Sequence, residues 1–215
     1  MPLAFALSIA ATAVAVAALL LAEYKQFSLG KAIAKPLASG GFVALAIAAD
    51  APRTPYGCAV LLALGFSWLG DVLLIPRGRP RLFRLGVLAF LVAHLGFIAA
   101  FVLRGVSILP ALVATFVAAP IGLAIAGKLL GRVEPSLRVA VTAYIVVISV
   151  MVPLAAGTVA AHGQVAIAVA ALAFYASDLS VARDRFVAPA FVNRAWGLPL
   201  YYAAQLLFAW SASRV

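Results

Sequence analysis

The stretch Phe66-Ser67-Trp68-Leu69-Gly70-Asp71-Val72-Leu73-Leu74-Ile75 decides the fold of this chain, because it sets one carboxylate inside an apolar run long enough to cross a bilayer. An ionised Asp near the middle of a membrane costs about 2.5–3.5 kcal/mol on insertion scales, so acids kept at that depth face a polar interior and mark a working site. A second run, Ala173-Phe174-Tyr175-Ala176-Ser177-Asp178-Leu179, repeats the arrangement 107 positions later. Of the six acidic residues, only Asp71 and Asp178 stand within apolar runs.

Working outward from these two runs, the whole chain has the same character. Of its 215 residues 67% are hydrophobic and 10% charged, and the mean hydropathy is +1.17. Soluble domains have roughly 45–50% apolar and about 25% charged residues, so the composition specifies an all-α, polytopic integral membrane protein. The formal charge of +10 is distributed between apolar spans; it sets topology and implies no nucleic-acid partner. Cys58 is the single cysteine, which excludes an internal disulfide. No metal-ligand spacing, Gly-x-Ser-x-Gly elbow, phosphate-binding glycine loop or cofactor fingerprint is present. A serine hydrolase or metalloprotease is unsupported, and no metal or cofactor is expected.

Apolar windows fall at residues 2–22, 35–49, 56–75, 85–103, 106–127, 137–156, 163–182 and 195–213, which predicts eight transmembrane helices in one domain over residues 1–215. The second window is short and opens on Lys35-Pro36, which suits Pro in a first helical turn and a Lys that reaches the interface, with room for the helix to extend back through Ala32. Residues 1–22 carry their positive charge afterwards rather than before, so they read as a retained span, with cleavage after Ala22 as the alternative. The loops after spans one, three, five and seven hold thirteen Lys and Arg residues, against three (Arg53, Arg104, Arg214) on the other side. That asymmetry predicts both termini outside the cytoplasm. Asp71 then lies roughly 6 Å, and Asp178 roughly 7.5 Å, along its helix from the cytoplasmic end, at depths that suit one shared cavity.

Superposing the two acids pairs Gly70 with Ser177, and the helices that follow pair Gly86 with Gly197, Phe90 with Tyr201 and His94 with Gln205. Four spans per half predicts a parallel repeat with halves 1–104 and 105–215, the acids facing each other across its axis. Resemblance by membrane composition alone is the competing reading.

Phe90 and His94 share one helix face, as do Tyr201 and Gln205. His94 and Gln205 lie about 13 and 15 Å from the cytoplasmic end and are expected to floor the cavity beneath the acids. For His94, an interhelical hydrogen bond and a catalytic role are both open. Gln205 is expected to be structural or substrate-orienting. Ser67, one turn before Asp71, and Ser177 either satisfy helix contacts or touch substrate. Tyr201 and Tyr202 follow Pro199, expected to kink the helix start and open a cleft there. Glu23, Asp50, Glu134 and Asp184 sit at span ends beside basic residues and read as solvated or paired, and His162 reads as an outer-loop residue without a partner.

The blocks Phe66–Leu74, Gly86–His94, Ala143–Met151, Phe174–Asp178 and Tyr201–Gln205 resemble, in order and spacing, the YhhN-like lysoplasmalogenase family. The resemblance covers spans two to eight and implies an eight-helix membrane hydrolase that cleaves the vinyl-ether bond of lysoplasmalogens, releasing a fatty aldehyde and glycerophosphoethanolamine or glycerophosphocholine. It places the family's two acids on Asp71 and Asp178 and its His and Gln on His94 and Gln205. The chain departs from the family at Phe97, where a Tyr three residues after the His is expected.

Two carboxylates suit that chemistry. A vinyl ether is cleaved by proton delivery to its β-carbon and capture of the resulting oxocarbenium ion by water, so one acid must arrive protonated and the other ionised. Which Asp donates is left open by the sequence. Replacing either by Asn is expected to abolish hydrolysis and leave the fold intact. Lysophospholipid is expected to come in from the inner leaflet, its phosphate near Lys35, Arg77, Arg79, Arg81 or Asn193 and its chain running past His94 and Gln205 into the outer halves of spans four and eight. A proton-coupled or lipid-translocating carrier is the alternative; the scarcity of polar groups in the outer halves of spans three, four, seven and eight favours the enzyme.

Overall fold

The computed structural model describes residues 3–76 and 78–214. Among them are eight α-helices: α1 (Leu3–Tyr24), α2 (Ser28–Ala48), α3 (Pro55–Leu73), α4 (Pro80–Arg104), α5 (Ile108–Leu129), α6 (Pro135–His162), α7 (Ala166–Phe186) and α8 (Phe191–Ser211). No strand occurs among the described residues. Each helix overlaps one of the apolar windows. Pro55, Pro80 and Pro135 each stand at a first helical position, where the missing N–H costs nothing. Thr54 caps α3, its hydroxyl oxygen accepting from the Gly57 N–H at 3.0 Å.

Seven of the eight helices, α1 to α7, are long and apolar enough to cross a membrane. The exception, α8, has the length but carries Asn193, Arg194, Tyr201, Tyr202 and Gln205. Tyr201, Tyr202 and Gln205 are buried against neighbouring helices, and Asn193 against the loop before α8. Its polarity is spent inside the bundle. The outward surface is apolar instead: Phe116 and Val139 are 81% and 84% exposed. Such a surface is unfavourable in water and ordinary in lipid.

Connections between helices are short, so successive helices run antiparallel and pack as the hairpins α1–α2, α3–α4, α5–α6 and α7–α8. The contacts of α4 with α6 and of α2 with α8 join these hairpins, and α1 also lies along α8. Small residues permit the close approaches. A Cβ at Gly70 would come within 2.7 Å of the Phe90 ring, and one at Gly197 would run into Ser180. Removing side chains at helix contacts in this way lets backbones approach where no hydrophobic drive operates. The largest buried cluster gathers Phe42, Leu64, Phe97, Phe101, Phe174 and Phe208 from α2, α3, α4, α7 and α8.

Two local expectations change. Because α2 begins at Ser28, Pro36 lies well inside the helix and not in its first turn; its carbonyl accepts from the Trp68 indole N–H at 3.3 Å. His162 is the last residue of α6 and not a loop residue. It lines a cavity of about 300 Å³ with Thr54, Tyr56 and Arg104 at the end of the bundle away from the basic loops.

Candidate active site

The Asp71 carboxylate is 4% exposed and meets three donors from two helices. From α2 come the Lys35 ammonium, 3.1 Å from Oδ1, and the Ser39 hydroxyl, which donates to Oδ2 at 2.6 Å. From α8 comes the Tyr201 phenol, also donating to Oδ2 at 2.6 Å. Lys35 and Ser39 are four residues apart and so share the α2 face that meets α3. The Tyr202 hydroxyl lies 3.2 Å from Ser39 Oγ and backs the same cluster. A buried charge is tolerated only when paired and hydrogen-bonded, and Asp71 meets both conditions.

Lys35 therefore sits deeper than its expected place at the head-group plane. It is only 17% exposed, and its charge is committed to Asp71. Neither Ser39 nor Lys35 stands out as a partner of Asp71 in the sequence. The available signal was their spacing on a short, Gly- and Ser-containing helix, with a Lys opening the apolar window.

Asp178 has a separate set of partners. Its side chain is 18% exposed, and Oδ2 lies 3.3 Å from His94 Nε2 of α4, a close contact off the line of a good hydrogen bond. The Tyr144 phenol of α6 donates to the same oxygen at 2.9 Å. On the other side of the imidazole, Nδ1 lies 2.7 Å from the Phe90 carbonyl. Tyr144 is the one phenol of α6, and that is the only signal by which the sequence marks it.

Aromatic rings connect the two acids. Phe174 stacks on His94 with centroids 4.3 Å apart. Tyr201, which holds Asp71, lies 5.6 Å from Phe174 and 5.9 Å from Phe90. Instead of two carboxylates facing each other across open space, the structure presents two polar clusters joined through Phe90, Phe174 and Tyr201.

One turn farther along α3 and α8 from Asp71 and Tyr201, Gln205 Nε2 donates to Ser67 Oγ at 3.2 Å. Gln205 Oε1 is buried without a partner. His94 and Gln205 thus belong to different clusters and do not form one floor.

Other expected site residues are placed elsewhere. The Ser177 hydroxyl bonds back to the Phe174 carbonyl at 2.8 Å, within its own helix. Asn193 is 1% exposed and turned into the loop before α8, donating to the Ala188 carbonyl at 2.7 Å, so it does not face the head-group plane. Asp184 and Glu23 are paired as expected: Arg194 bonds Glu23 at 2.9 Å and Asp184 at 2.7 Å, and Lys31 lies 3.1 Å from Glu23. Arg77 lies outside the described residues; Arg79 and Arg81 are exposed at the start of α4.

The sequence model of the YhhN family matches residues 30–212, from α2 through the end of α8. The chain belongs to the YhhN family. The matched region contains every residue of both clusters, and no solved structure matches the chain. As a YhhN-family membrane protein it draws the two clusters from α2, α3, α4, α6, α7 and α8 and leaves α1 and α5 without a part in either.

Proposed function

We propose that this protein is a membrane ether hydrolase that cleaves the vinyl-ether bond of lysoplasmalogens, yielding a fatty aldehyde and a glycerophospho-head group such as glycerophosphoethanolamine or glycerophosphocholine. The observation that carries this reading is the pair of buried acid clusters, Asp71 with Lys35, Ser39 and Tyr201, and Asp178 with His94 and Tyr144. Family membership and the motif resemblance support the choice of substrate. An acid and an anion that act on one substrate suffice for a reaction whose cost lies in making and trapping an oxocarbenium ion.

In this reading Asp71 and Asp178 are catalytic. Tyr201, Tyr202 and Ser67 shape the Asp71 side, and the unpartnered Gln205 Oε1 accepts a hydrogen bond from a hydroxyl group of substrate or water. The basic loops face the cytoplasm by the asymmetry of Lys and Arg, both termini are non-cytoplasmic, and the site opens to the inner leaflet, where Arg79 and Arg81 meet the lipid phosphate.

The parallel repeat belongs to the same reading. It is supported by the matching neighbour pattern, α2–α3 with α6–α7, α3–α4 with α7–α8, and α4–α6 with α8–α2. The helix contacts agree too: a Cβ at Gly86 would stand 3.4 Å from the Gly70 carbonyl, and one at Gly197 would stand 3.7 Å from the Ser177 carbonyl, the positions paired by sequence.

The test is incubation of the purified protein with a lysoplasmalogen and detection of free aldehyde. Aldehyde release by the wild type, and its loss in Asp178→Asn, is the expected result. No aldehyde, together with substrate-dependent flux in liposomes, would replace the hydrolase by a carrier.

A further inference from the structure

The two acids are surrounded by different sets of partners. Asp71 faces donors from every element that brings a polar group to it: a full positive charge from Lys35 and hydroxyl protons from Ser39 and Tyr201, with Tyr202 behind Ser39. From α4 only the Phe90 ring adjoins this cluster, through Tyr201. A carboxyl group that kept its own proton would compete with these donors and forfeit the ammonium, so the set selects the carboxylate.

Asp178 has no such cation: among the described residues no Lys or Arg pairs with it, and its polar neighbours are Tyr144 from α6 and His94 from α4. The geometry of His94 fixes one proton more. Its Nδ1 faces the Phe90 carbonyl, which only accepts, so Nδ1 carries a hydrogen. Nε2 then faces Asp178 Oδ2 at 3.3 Å. The contact is off the line of a hydrogen bond, and a small rotation of either side chain would let the two atoms share a proton.

We propose that the His94–Asp178 pair stores the proton delivered to substrate and that Lys35 is the positioning residue that reserves Asp71 as the anion, an assignment that rests on the vinyl-ether reading for its chemistry. The stored proton forms a C–H bond with the β-carbon, using the vinyl π electrons, and positive charge develops on the adjacent carbon and ether oxygen. The Asp71 carboxylate and the faces of Phe174 and Tyr201 stabilise that charge. A water oxygen bonds to the cationic carbon and returns a proton to the His94–Asp178 pair. The hemiacetal hydroxyl then passes its proton to the ether oxygen as that C–O bond breaks, leaving aldehyde and alcohol and the pair as it began.

The test starts without substrate. Isotope-labelled histidine and aspartate are followed by magnetic resonance across pH in the purified protein; with two histidines and four aspartates, single variants assign each signal. The expected result at neutral pH is an ionised Asp71 carboxyl signal and a proton shared by His94 and Asp178. Lys35→Met should move the Asp71 carboxyl signal while leaving that of the His94–Asp178 pair unchanged, and should slow aldehyde release about 10²-fold; Lys35→Arg should recover both. A wild-type Asp71 that is protonated at neutral pH overturns the assignment. If the signals behave as expected and the wild type releases no aldehyde, the vinyl-ether reading fails alone. Turnover in deuterated water should place one deuterium on the carbon next to the aldehyde carbonyl, and its absence overturns the protonation step.

Discussion

The Lys35 ammonium and the Asp71 carboxylate, 3.1 Å apart in the bundle interior, tie α2 to α3 by a charge pair in which neither partner can be removed without stranding the other. Breaking a buried pair from one side costs roughly 3–5 kcal/mol. Asp71→Asn is therefore expected to lower thermal stability in detergent as well as activity, a correction to the simpler expectation that loss of a buried charge leaves the fold untouched. The double variant Lys35→Met with Asp71→Leu should regain most of the lost stability and none of the activity. Equal melting temperatures for Asp71→Asn and wild type would show that the pair contributes nothing.

Tyr201→Phe removes one of the hydroxyl donors to Asp71 and keeps the ring against Phe174. A lost hydrogen bond to a charged group is worth about 1.5–3 kcal/mol. Aldehyde release should slow by about one to two orders of magnitude, mostly in kcat, with KM little changed because the phenol holds the carboxylate and not the lipid. A rise in KM at unchanged kcat would instead place Tyr201 on the substrate.

A Cβ at Gly197 would run into the Ser180 side chain where α7 and α8 touch. Gly197→Ala should therefore destabilise the protein by roughly 1–3 kcal/mol, and adding Ser180→Ala should restore part of it by removing the hydroxyl. Thermal melts of the two single variants and the double variant give the coupling directly. Additive losses would mean that the helices separate to accommodate the methyl group.

Orientation can be read by cysteine labelling in a Cys58→Ser background. Gly131 lies in the short turn after α5, beside the basic residues, and His162 ends α6 on the opposite side of the bundle; both are exposed. An impermeant thiol reagent should reach Gly131→Cys only from the cytoplasmic side and His162→Cys only from outside. The reverse pattern would turn the molecule over and with it the leaflet from which lipid arrives.

Helix number and approximate limits were legible because hydropathy and loop charge vary on the scale of whole spans, a signal that local packing does not disturb. The identity of the two acids was legible for the same reason: a carboxylate in an apolar run has few explanations. Their partners were not. Whether Lys35 turns inward to Asp71 or outward to lipid depends on the rotation of α2 against α3, and no periodicity within α2 fixes that rotation. Tyr144 meets Asp178 where α6 packs on α7, and His94 joins them only because α4 and α6, far apart in sequence, lie side by side. Asn193 looked available because it is polar and near the interface, yet the sharp return before α8 needed its side chain for backbone carbonyls.

The shortage of apolar residues in α8 bears on how the protein is made. A segment that partitions poorly into lipid by itself gains from finding its polar partners already in place, and Tyr201, Tyr202 and Gln205 find theirs on α2 and α3. Because α8 leaves the ribosome after those helices, it can dock against them as it inserts. A chain cut short before α8 would leave Asp71 without its phenol and Ser67 without its amide, and would present quality-control proteases with an incompletely satisfied polar groove in the bilayer.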